Sequence, residues 1–243
     1  MRIGLIGYGK MGKAIEEIAL ERGHSVVVKA TSQTKDWDKN LSEVDVAIEF
    51  TSPSSAVDNI SRLLQHNIPV VTGTTGWYDQ YSEIETRVHE TEGSFLAATN
   101  FSIGVNLFFA INQFVAQLMN AHTDYDVSLE EVHHTQKADA PSGTAITLGE
   151  QIIAHTDRKH DWKCIENTTI DFEKKPENLL IEAVRKEGVP GTHTVRYTSD
   201  IDTIELTHTA HNRKGFALGA VLAAEFIKNK KGIFTMRDVL NLK

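Results

Sequence analysis

The 243-residue chain lacks most of the features that mark secreted, membrane-spanning or nucleic-acid-binding proteins. Its single cysteine, Cys164, excludes an intramolecular disulfide and is typical of a reducing compartment. The formal net charge of -8 argues against a general nucleic-acid-binding surface, which needs a basic face. The most apolar stretch, residues 95–119, is interrupted by asparagine and glutamine, which favours a buried strand and helix over a membrane span. We therefore predict a soluble, cytoplasmic protein.

Short apolar segments alternate with helical ones in the first hundred residues. The segments "RIGLIG", "HSVVVKA", "VDVAIEF", "IPVVTG" and "SFLAATN" have the composition of strands, and amphipathic segments separate most of them. This alternation predicts an α/β domain of the Rossmann type, with a doubly wound parallel sheet, over residues 1–103.

The second half has a different pattern. After a long amphipathic helix predicted over 104–121, strand-like segments follow at 124–133, 163–172, 179–186, 192–198 and 202–210. Only a helix that starts near Ser142 interrupts them, so residues 104–214 are predicted to form an α+β domain with a mixed, mostly antiparallel sheet. The apolar segment "GFALGAVLAAEFIKN" and a short helix near Met236 complete the chain, and we expect these terminal helices (215–243) to pack on the first domain.

A glycine-rich turn follows the first predicted strand and opens the first predicted helix. The sequence Gly7-Tyr8-Gly9-Lys10-Met11-Gly12 is a complete G-x-G-x-x-G pattern. In this context the first glycine permits the tight turn, the second lets a pyrophosphate approach the backbone, and the third lets helix and strand pack closely. The turn therefore predicts dinucleotide binding at a helix N-terminus.

The region after the second strand lacks the acidic residue that binds an adenosine ribose diol. The segment near Thr31 contains Ser32, Lys29 and Lys35 instead, and hydroxyls with lysines suit a 2′-phosphate better than a diol. The sequence thus favours NADPH weakly over NADH.

Loops at other strand ends should also face the cofactor, because ligands of open α/β sheets bind at the carboxyl ends of the strands. The candidates are Gly73-Thr74-Thr75, Ala98-Thr99-Asn100-Phe101 and Glu49-Phe50-Thr51.

The segment "EEVHHTQKADAPSGTA" contains the chemistry-bearing residues of the second domain. His133 and His134 end a predicted strand, and they should point to opposite sides of it. Residues 141–144 predict a helix N-terminus whose N–H groups and Thr144 hydroxyl can bind an anion such as a carboxylate, with Lys137 adding positive charge. His133 is then a candidate proton donor for a reduction.

Two other chemistries are disfavoured by spacing. The chain has neither the H-E-x-x-H spacing nor the paired Cys/His spacing of a zinc site, so no metal is predicted. A serine nucleophile is also not expected, because Ser142 lies outside a G-x-S-x-G elbow.

Nearly the whole chain resembles the 4-hydroxy-tetrahydrodipicolinate reductase (dihydrodipicolinate reductase) family of the diaminopimelate–lysine pathway. The motifs are "GYGKMG", "VVTGTTGW", "ATNFSIGVN", "EVHHTQKADAPSGTA", "GTHTVRY" and "NRKGFALGA". The resemblance implies His133 as the catalytic histidine, Lys137 as the proton donor, and His134, Gly143 and Thr144 as residues that hold a small dicarboxylate substrate. It implies that residues 7–12, 73–75 and 98–101 bind NADPH or NADH, and that the second domain's sheet forms a homotetramer.

Two alternatives remain from the residues themselves. A semialdehyde dehydrogenase has a similar domain order but needs a thiolate nucleophile, and Cys164 stands alone in a charged segment. A nucleotide-sensing regulatory protein would need the glycine turn but not the His-His-Lys cluster.

Overall fold

The computed structural model describes residues 1–34, 36–166, 175–212 and 214–242. They divide into two compact units, Met1–Ile103 with Lys214–Lys243 (unit 1) and Gly104–Arg213 (unit 2). No helix within the described ranges has the length and apolar character needed to cross a bilayer.

The described residues contain eleven strands and seven α-helices. The strands are β1 (Arg2–Ile6), β2 (Ser25–Ala30), β3 (Val46–Glu49), β4 (Val70–Thr72), β5 (Ser94–Ala97), β6 (Asp126–His133), β7 (Asp161–Glu166), β8 (Asn178–Arg185), β9 (Gly191–Thr198), β10 (Thr203–Ala210) and β11 (Gly232–Phe234). The helices are α1 (Lys10–Glu21), α2 (Pro53–Gln65), α3 (Tyr81–Glu90), α4 (Ile103–Met119), α5 (Gly143–His155), α6 (Lys214–Ile227) and α7 (Met236–Val239).

Unit 1 is built around a six-stranded parallel sheet in the order β11-β5-β4-β3-β1-β2. One apolar cluster joins the sheet to α1, α6 and α7, and a second joins it to α2 and α3, so helices cover both faces. The predicted Rossmann-type sheet is confirmed. The sequence reading missed β11, because three residues after a pair of lysines are too short to show a period.

Unit 2 contains a five-stranded mixed sheet in the order β10-β9-β6-β8-β7. The mixed sheet is confirmed, but it is not mostly antiparallel as predicted: among the described strands, β9 pairs antiparallel with β10 and β6, whereas β8 pairs parallel with β6 and β7. Helix α5 follows β6 and supplies the crossover that parallel strands require. Part of the predicted strand 163–172 lies beyond the described ranges.

One face of the unit 2 sheet carries the core of that unit. Residues of α4 and α5 pack against alternate residues of the strands, among them Val127, Leu129 and Ile181. The alternation of β6 also places Glu131 and His133 on this buried face. The face that forms the core therefore continues directly into the chemistry-bearing residues.

Candidate active site

The glycine-rich turn of unit 1 has a separate physical reason for each glycine. Gly7 has a positive φ of 97°, and a Cβ there would lie 1.9 Å from the Phe50 carbonyl oxygen. A Cβ on Gly12 would lie 2.4 Å from the Gly7 carbonyl oxygen, so this position fixes the close approach of α1 to the turn. A Cβ on Gly9 would meet nothing within 4 Å, which leaves open space in front of the α1 N-terminus.

Two clefts adjoin this turn. The first, of about 610 Å³, is lined by residues 6–9, 30–32, 34, 37, 51, 52, 55 and 59; the second, of about 460 Å³, is lined by residues 9–12, 50, 51, 53 and 73–75. The structure thus brings Gly7, Tyr8, Gly9, Lys10, Met11 and Gly12 together with Gly73, Thr74 and Thr75, as the sequence predicts.

Buried hydrogen bonds join the loops after β3 and β4. The carboxylate of Glu49, which is fully buried, accepts hydrogen bonds from the hydroxyls of Thr51 and Thr72. The backbone N–H of Thr51 donates to the Thr74 hydroxyl at 2.8 Å. Glu49 therefore supports the second cleft from below.

The predicted residues Ala98, Thr99, Asn100 and Phe101 do not line either cleft. The Phe101 ring is buried, lies 5.7 Å from the Phe50 ring, and would contact a Cβ at Gly73. Its visible role among the described residues is to support the Gly73 loop, and a direct cofactor contact stays a prediction.

Of the residues predicted to bind the adenosine end of the cofactor, most but not all lie within the described ranges. Thr31 and Ser32 line the first cleft, and no described aspartate or glutamate does. Lys29 is engaged elsewhere, because its Nζ lies 2.5 Å from a Glu16 carboxylate oxygen and 4.9 Å from the Tyr8 ring centre. Lys35 lies outside the described residues.

In unit 2 the predicted helix start is confirmed. Helix α5 begins at Gly143, and the Ser142 hydroxyl caps it by accepting a hydrogen bond from the Ala145 N–H at 3.2 Å. A Cβ on Gly143 would meet nothing within 4 Å, so there is open space beside this helix start. The position suits an anion, because helix N-termini present N–H donors and positive potential.

A buried carboxylate ties this helix start to the histidines. Glu131 is 0 % exposed, and its Oε2 accepts a hydrogen bond from the Ser142 backbone N–H at 2.9 Å. Its Oε1 accepts one from Arg185 Nη1 at 3.3 Å. His193, 5 % exposed, places Nε2 3.0 Å from the Ser142 hydroxyl. Burial raises the pKa of Glu131, but the neighbouring His193, the hydrogen bond from Ser142 and the nearby His133 outweigh burial and lower it to about 2. The carboxylate is therefore ionised at neutral pH.

Packing holds the His133 side chain, and its Nδ1 makes no hydrogen bond to any residue that the structure describes. Its side chain faces the His193 ring with centroids 5.0 Å apart, and its Nε2 would lie 3.0 Å from a Cβ at Gly191. Burial lowers the pKa of His133 to about 4, against the raising effect of Glu131, and the imidazole is therefore neutral at neutral pH. His134 follows the end of β6 and is half-buried.

Lys137 is the cation closest in sequence to these histidines. Its Nζ donates to both carboxylate oxygens of Asp139 at 2.7 Å, and this contact lowers the pKa of Asp139. Arg185 donates from Nη2 to the Asp139 carbonyl oxygen at 2.7 Å. Lys137 is thus joined through Asp139 and Arg185 to Glu131.

Comparisons with known proteins identify the family of this chain. Residues 1–101 match the family model for dihydrodipicolinate reductase, N-terminus, and residues 104–240 match the one for dihydrodipicolinate reductase, C-terminus. The chain belongs to the dihydrodipicolinate reductase family. It is 49 % identical over 241 residues to the 4-hydroxy-tetrahydrodipicolinate reductase of Christiangramia forsetii, covering 99 % of this chain and 98 % of the relative.

Further members of the family agree with this placement. The 4-hydroxy-tetrahydrodipicolinate reductase of Methanocaldococcus jannaschii is 36 % identical over 248 residues, covering 98 % of this chain and 81 % of that protein. The solved structure of a dipicolinate-bound dihydrodipicolinate reductase from Paenisporosarcina sp. TG-14 has the same fold, with a TM-score of 0.78, 22 % identity and coverage of 100 % and 99 % of the two chains. The predicted family and enzyme class, an NAD(P)H-dependent oxidoreductase, are confirmed.

Several residues around the family's His-His-Lys motif were missed by the sequence reading. Glu131, Asp139, Arg185 and His193 form the network described above, but only their place in the fold connects them. The strand period could have paired Glu131 with His133, whereas the link to His193 depends on the register of β6 with β9. Cys164 lies in β7, and burial raises the pKa of its thiol, so it lacks the activation that a semialdehyde dehydrogenase nucleophile needs.

Proposed function

We propose that this chain reduces 4-hydroxy-tetrahydrodipicolinate to tetrahydrodipicolinate in lysine and diaminopimelate biosynthesis, taking up a hydride from NAD(P)H and a proton and releasing the 4-hydroxyl group as water. The observation that carries the proposal is the Glu131 network, which gathers His133, the start of α5 and, through Arg185 and Asp139, Lys137. Unit 1 is the dinucleotide-binding part in this proposal, and unit 2 binds the substrate.

The clefts of unit 1 fit a dinucleotide. The open space over Gly9 and the N-terminus of α1 suit a pyrophosphate, and Gly73, Thr74 and Thr75 flank the second cleft. When bound, the cofactor supplies the hydride. The chain's own residues would hold it through main-chain donors and the floor formed by Glu49, Thr51 and Thr72. Ala98, Thr99, Asn100 and Phe101 complete the proposed cofactor-binding set.

Lys137 is the better proton donor of the two candidates. A group can donate a proton only if it holds one, and a His133 imidazole with a pKa of about 4 is neutral at pH 7. Lys137 forms an ion pair with Asp139, which orients its ammonium group. His133 would then contact the substrate. A bound substrate carboxylate would raise the pKa of His133, because a nearby negative charge favours the protonated imidazole.

A small dicarboxylate suits the start of α5. Gly143 and Thr144 begin that helix, where a bound anion would meet N–H donors and the Thr144 hydroxyl. His134 lies close in sequence to Lys137, which would add positive charge. The structurally related reductase from Paenisporosarcina carries dipicolinate, a compound of this class.

We also propose that NADPH is accepted at least as well as NADH. Thr31 and Ser32 line the first cleft without a described carboxylate beside them, which removes both the usual diol partner and a source of repulsion against a 2′-phosphate. Because a contact between the 2′-phosphate and Thr31 or Ser32 would be partly exposed to solvent, the expected preference for NADPH over NADH is several-fold.

A homotetramer formed through the unit 2 sheet is a further part of the proposal. Its edge strand β10 is largely exposed, and Ile204 on β10 and Ile201 before it are exposed apolar side chains. Light scattering of the purified chain would measure the assembly state, and a monomer at micromolar concentration would contradict it. A cytoplasmic location stays a prediction.

A steady-state assay tests the proposed reaction directly. Purified chain, 4-hydroxy-tetrahydrodipicolinate and either NADPH or NADH should show loss of nicotinamide absorbance, with one cofactor oxidised per substrate reduced. A nucleotide-sensing protein would instead bind NADPH without turnover, and that result would reject the reductase proposal.

A further inference from the structure

Three buried side chains of unit 2 converge on one point. Glu131 and His133 lie two residues apart on one face of β6, and Glu131 is the register partner of His193 on β9. His133 Nδ1 and His193 Nε2 each lie 3.7 Å from Oε2 of Glu131. The ligand atoms of all three residues lie within 4.8 Å of one another.

One imidazole nitrogen of this cluster, Nδ1 of His133, has no hydrogen-bond partner among the described residues. His133 is 8 % exposed, and its buried Nδ1 makes no hydrogen bond within the described part of the chain. The 3.7 Å separation from Glu131 is too long for a hydrogen bond. Buried polar atoms of folded proteins are nearly always satisfied, so this nitrogen points to a ligand.

We propose that Glu131, His133 and His193 form a three-ligand Zn²⁺ site, and that an ion bound there inhibits the enzyme. The inhibition rests on the reductase function proposed above, whereas the binding site does not. Sequence spacing gave no sign of the site, because its third ligand comes from a strand some sixty residues away and meets Glu131 only through strand register.

The geometry suits zinc better than magnesium or calcium. Two imidazoles with one carboxylate are ligands of zinc, whereas magnesium and calcium require oxygen donors. With zinc bonds of about 2.0–2.2 Å, tetrahedral ligands lie about 3.3–3.5 Å apart. The two 3.7 Å separations from Glu131 therefore need to contract by a few tenths of an ångström. The third separation, between the two imidazole nitrogens, lies within 4.8 Å and needs a contraction of up to about 1.5 Å. A water or the Ser142 hydroxyl, 3.0 Å from His193 Nε2, could supply the fourth ligand.

The charged side chains around this cluster do not oppose the binding of a cation. Arg185 donates to Oε1 of Glu131 and the Ser142 N–H donates to Oε2, which has a second lone pair. Lys137 is paired with Asp139. The cationic Arg185 and Lys137 are balanced by the anionic Glu131 and Asp139, so these four side chains present no net positive charge to a bound ion.

Occupancy would disable two parts of the proposed site together. The ion would take the Nδ1 lone pair of His133, and it would take His193 Nε2 away from the Ser142 hydroxyl that caps α5. Removing the ion with a chelator would free the His133 lone pair and restore the contact between His193 and the Ser142 hydroxyl, so the inhibition should be reversible.

Equilibrium zinc binding tests the site. The full chain without a histidine tag competes for Zn²⁺ with a chromophoric indicator, with no substrate present because a dicarboxylate would itself chelate the ion. The wild type should hold one Zn²⁺, and His193→Gln should weaken binding by about 100-fold or more. The matched control is His122→Gln, which replaces an exposed histidine of the same unit and should bind as the wild type does. Equal zinc affinity of His193→Gln and the wild type would overturn the proposal.

A measurement on the wild type alone guards against a variant that fails to fold. X-ray absorption of the one-to-one zinc complex should show two imidazole ligands, and a shell without imidazole would also overturn the site. Buffered free Zn²⁺ should abolish NADPH oxidation, with recovery after chelation. Zinc binding without any reductase activity would reject the proposed function but keep the site; unchanged turnover of a zinc-loaded enzyme would reject the inhibition.

Discussion

The two units form their proposed binding sites by different means. Unit 1 presents main-chain groups, with the open space over Gly9 and the tight packing at Gly7 and Gly12. Unit 2 presents side chains whose charges are fixed by burial, with an ionised Glu131 beneath a neutral His133. A site of the first kind keeps its properties when pH changes, whereas a site of the second kind depends on protonation. The comparison therefore predicts where substitutions and acid should act.

The largest effect should follow removal of the Lys137 ammonium. Lys137→Met keeps an unbranched side chain of similar length but removes the proposed proton donor, so kcat should fall by about 10²–10⁴-fold. NADPH affinity should not change, because the clefts of unit 1 do not contain Lys137. Stopped-flow single-turnover measurements and NADPH titrations would separate the two.

The control for Lys137→Met is Lys163→Met. Lys163 is also paired with an aspartate two residues away, Asp161, at 2.6 Å, and it lies on β7 of the same unit. It should retain wild-type turnover. Loss of NADPH affinity in Lys137→Met would contradict the assignment of cofactor binding to unit 1 alone. Near-normal turnover would contradict the role of Lys137 as proton donor.

A second test concerns the start of α5. If the Thr144 hydroxyl binds a substrate carboxylate, Thr144→Val should cost about 1.5–3 kcal/mol in kcat/KM, the size of a hydrogen bond to a charged group. Thr147→Val, one turn further along the same helix, removes a hydroxyl that donates to the Gly143 carbonyl oxygen and should have little effect. Steady-state kinetics of both variants suffice. Equal kcat/KM values would mean that the helix start is structural.

The two sites also differ in how far a single sequence reveals them. The glycine turn needs fixed residue types at fixed spacing, so its prediction from Gly7, Gly9 and Gly12 places it correctly beside the clefts. The Glu131 network needs strand register: His193 meets Glu131 because β9 pairs with β6, and Arg185 reaches it from β8. The mixed pairing of that sheet escaped prediction for the same reason, since composition reports a strand but not its partner.

Acid should weaken folding through His133. Its folded-state pKa, about 4, lies below the ordinary 6.5, so the unfolded chain binds more protons between these values. The stability is complete above pH 6.5 and falls as pH drops through about 4. Between pH 7 and pH 5 the wild type should lose about 1–2 kcal/mol that His133→Gln does not lose. Urea unfolding at both pH values measures this, with the exposed His122→Gln as control.

The carboxylate beneath His133 extends that acid sensitivity. Glu131 has a folded-state pKa of about 2, below its ordinary value of 4.5, so its contribution is present above pH 4.5 and is lost as pH falls towards 2. The two groups thus act in sequence and in the same direction. Identical pH dependence in the wild type and His133→Gln would show that the imidazole is not buried in its neutral form.

The smallest expected effect lies in unit 1, at the adenosine end of the first cleft. Thr31→Asp should supply a ribose diol partner and repel a 2′-phosphate, moving the ratio of kcat/KM values for NADPH and NADH towards NADH. The expected change is on the order of 1 kcal/mol, because the site is partly exposed and screened, and it should shrink as salt rises. Thr86→Asp, on the exposed side of α3 and away from both clefts, adds the same charge and should leave the ratio unchanged. If Thr31→Asp also leaves it unchanged, the 2′ position must be read by other residues, and main-chain recognition would then extend over the whole nucleotide.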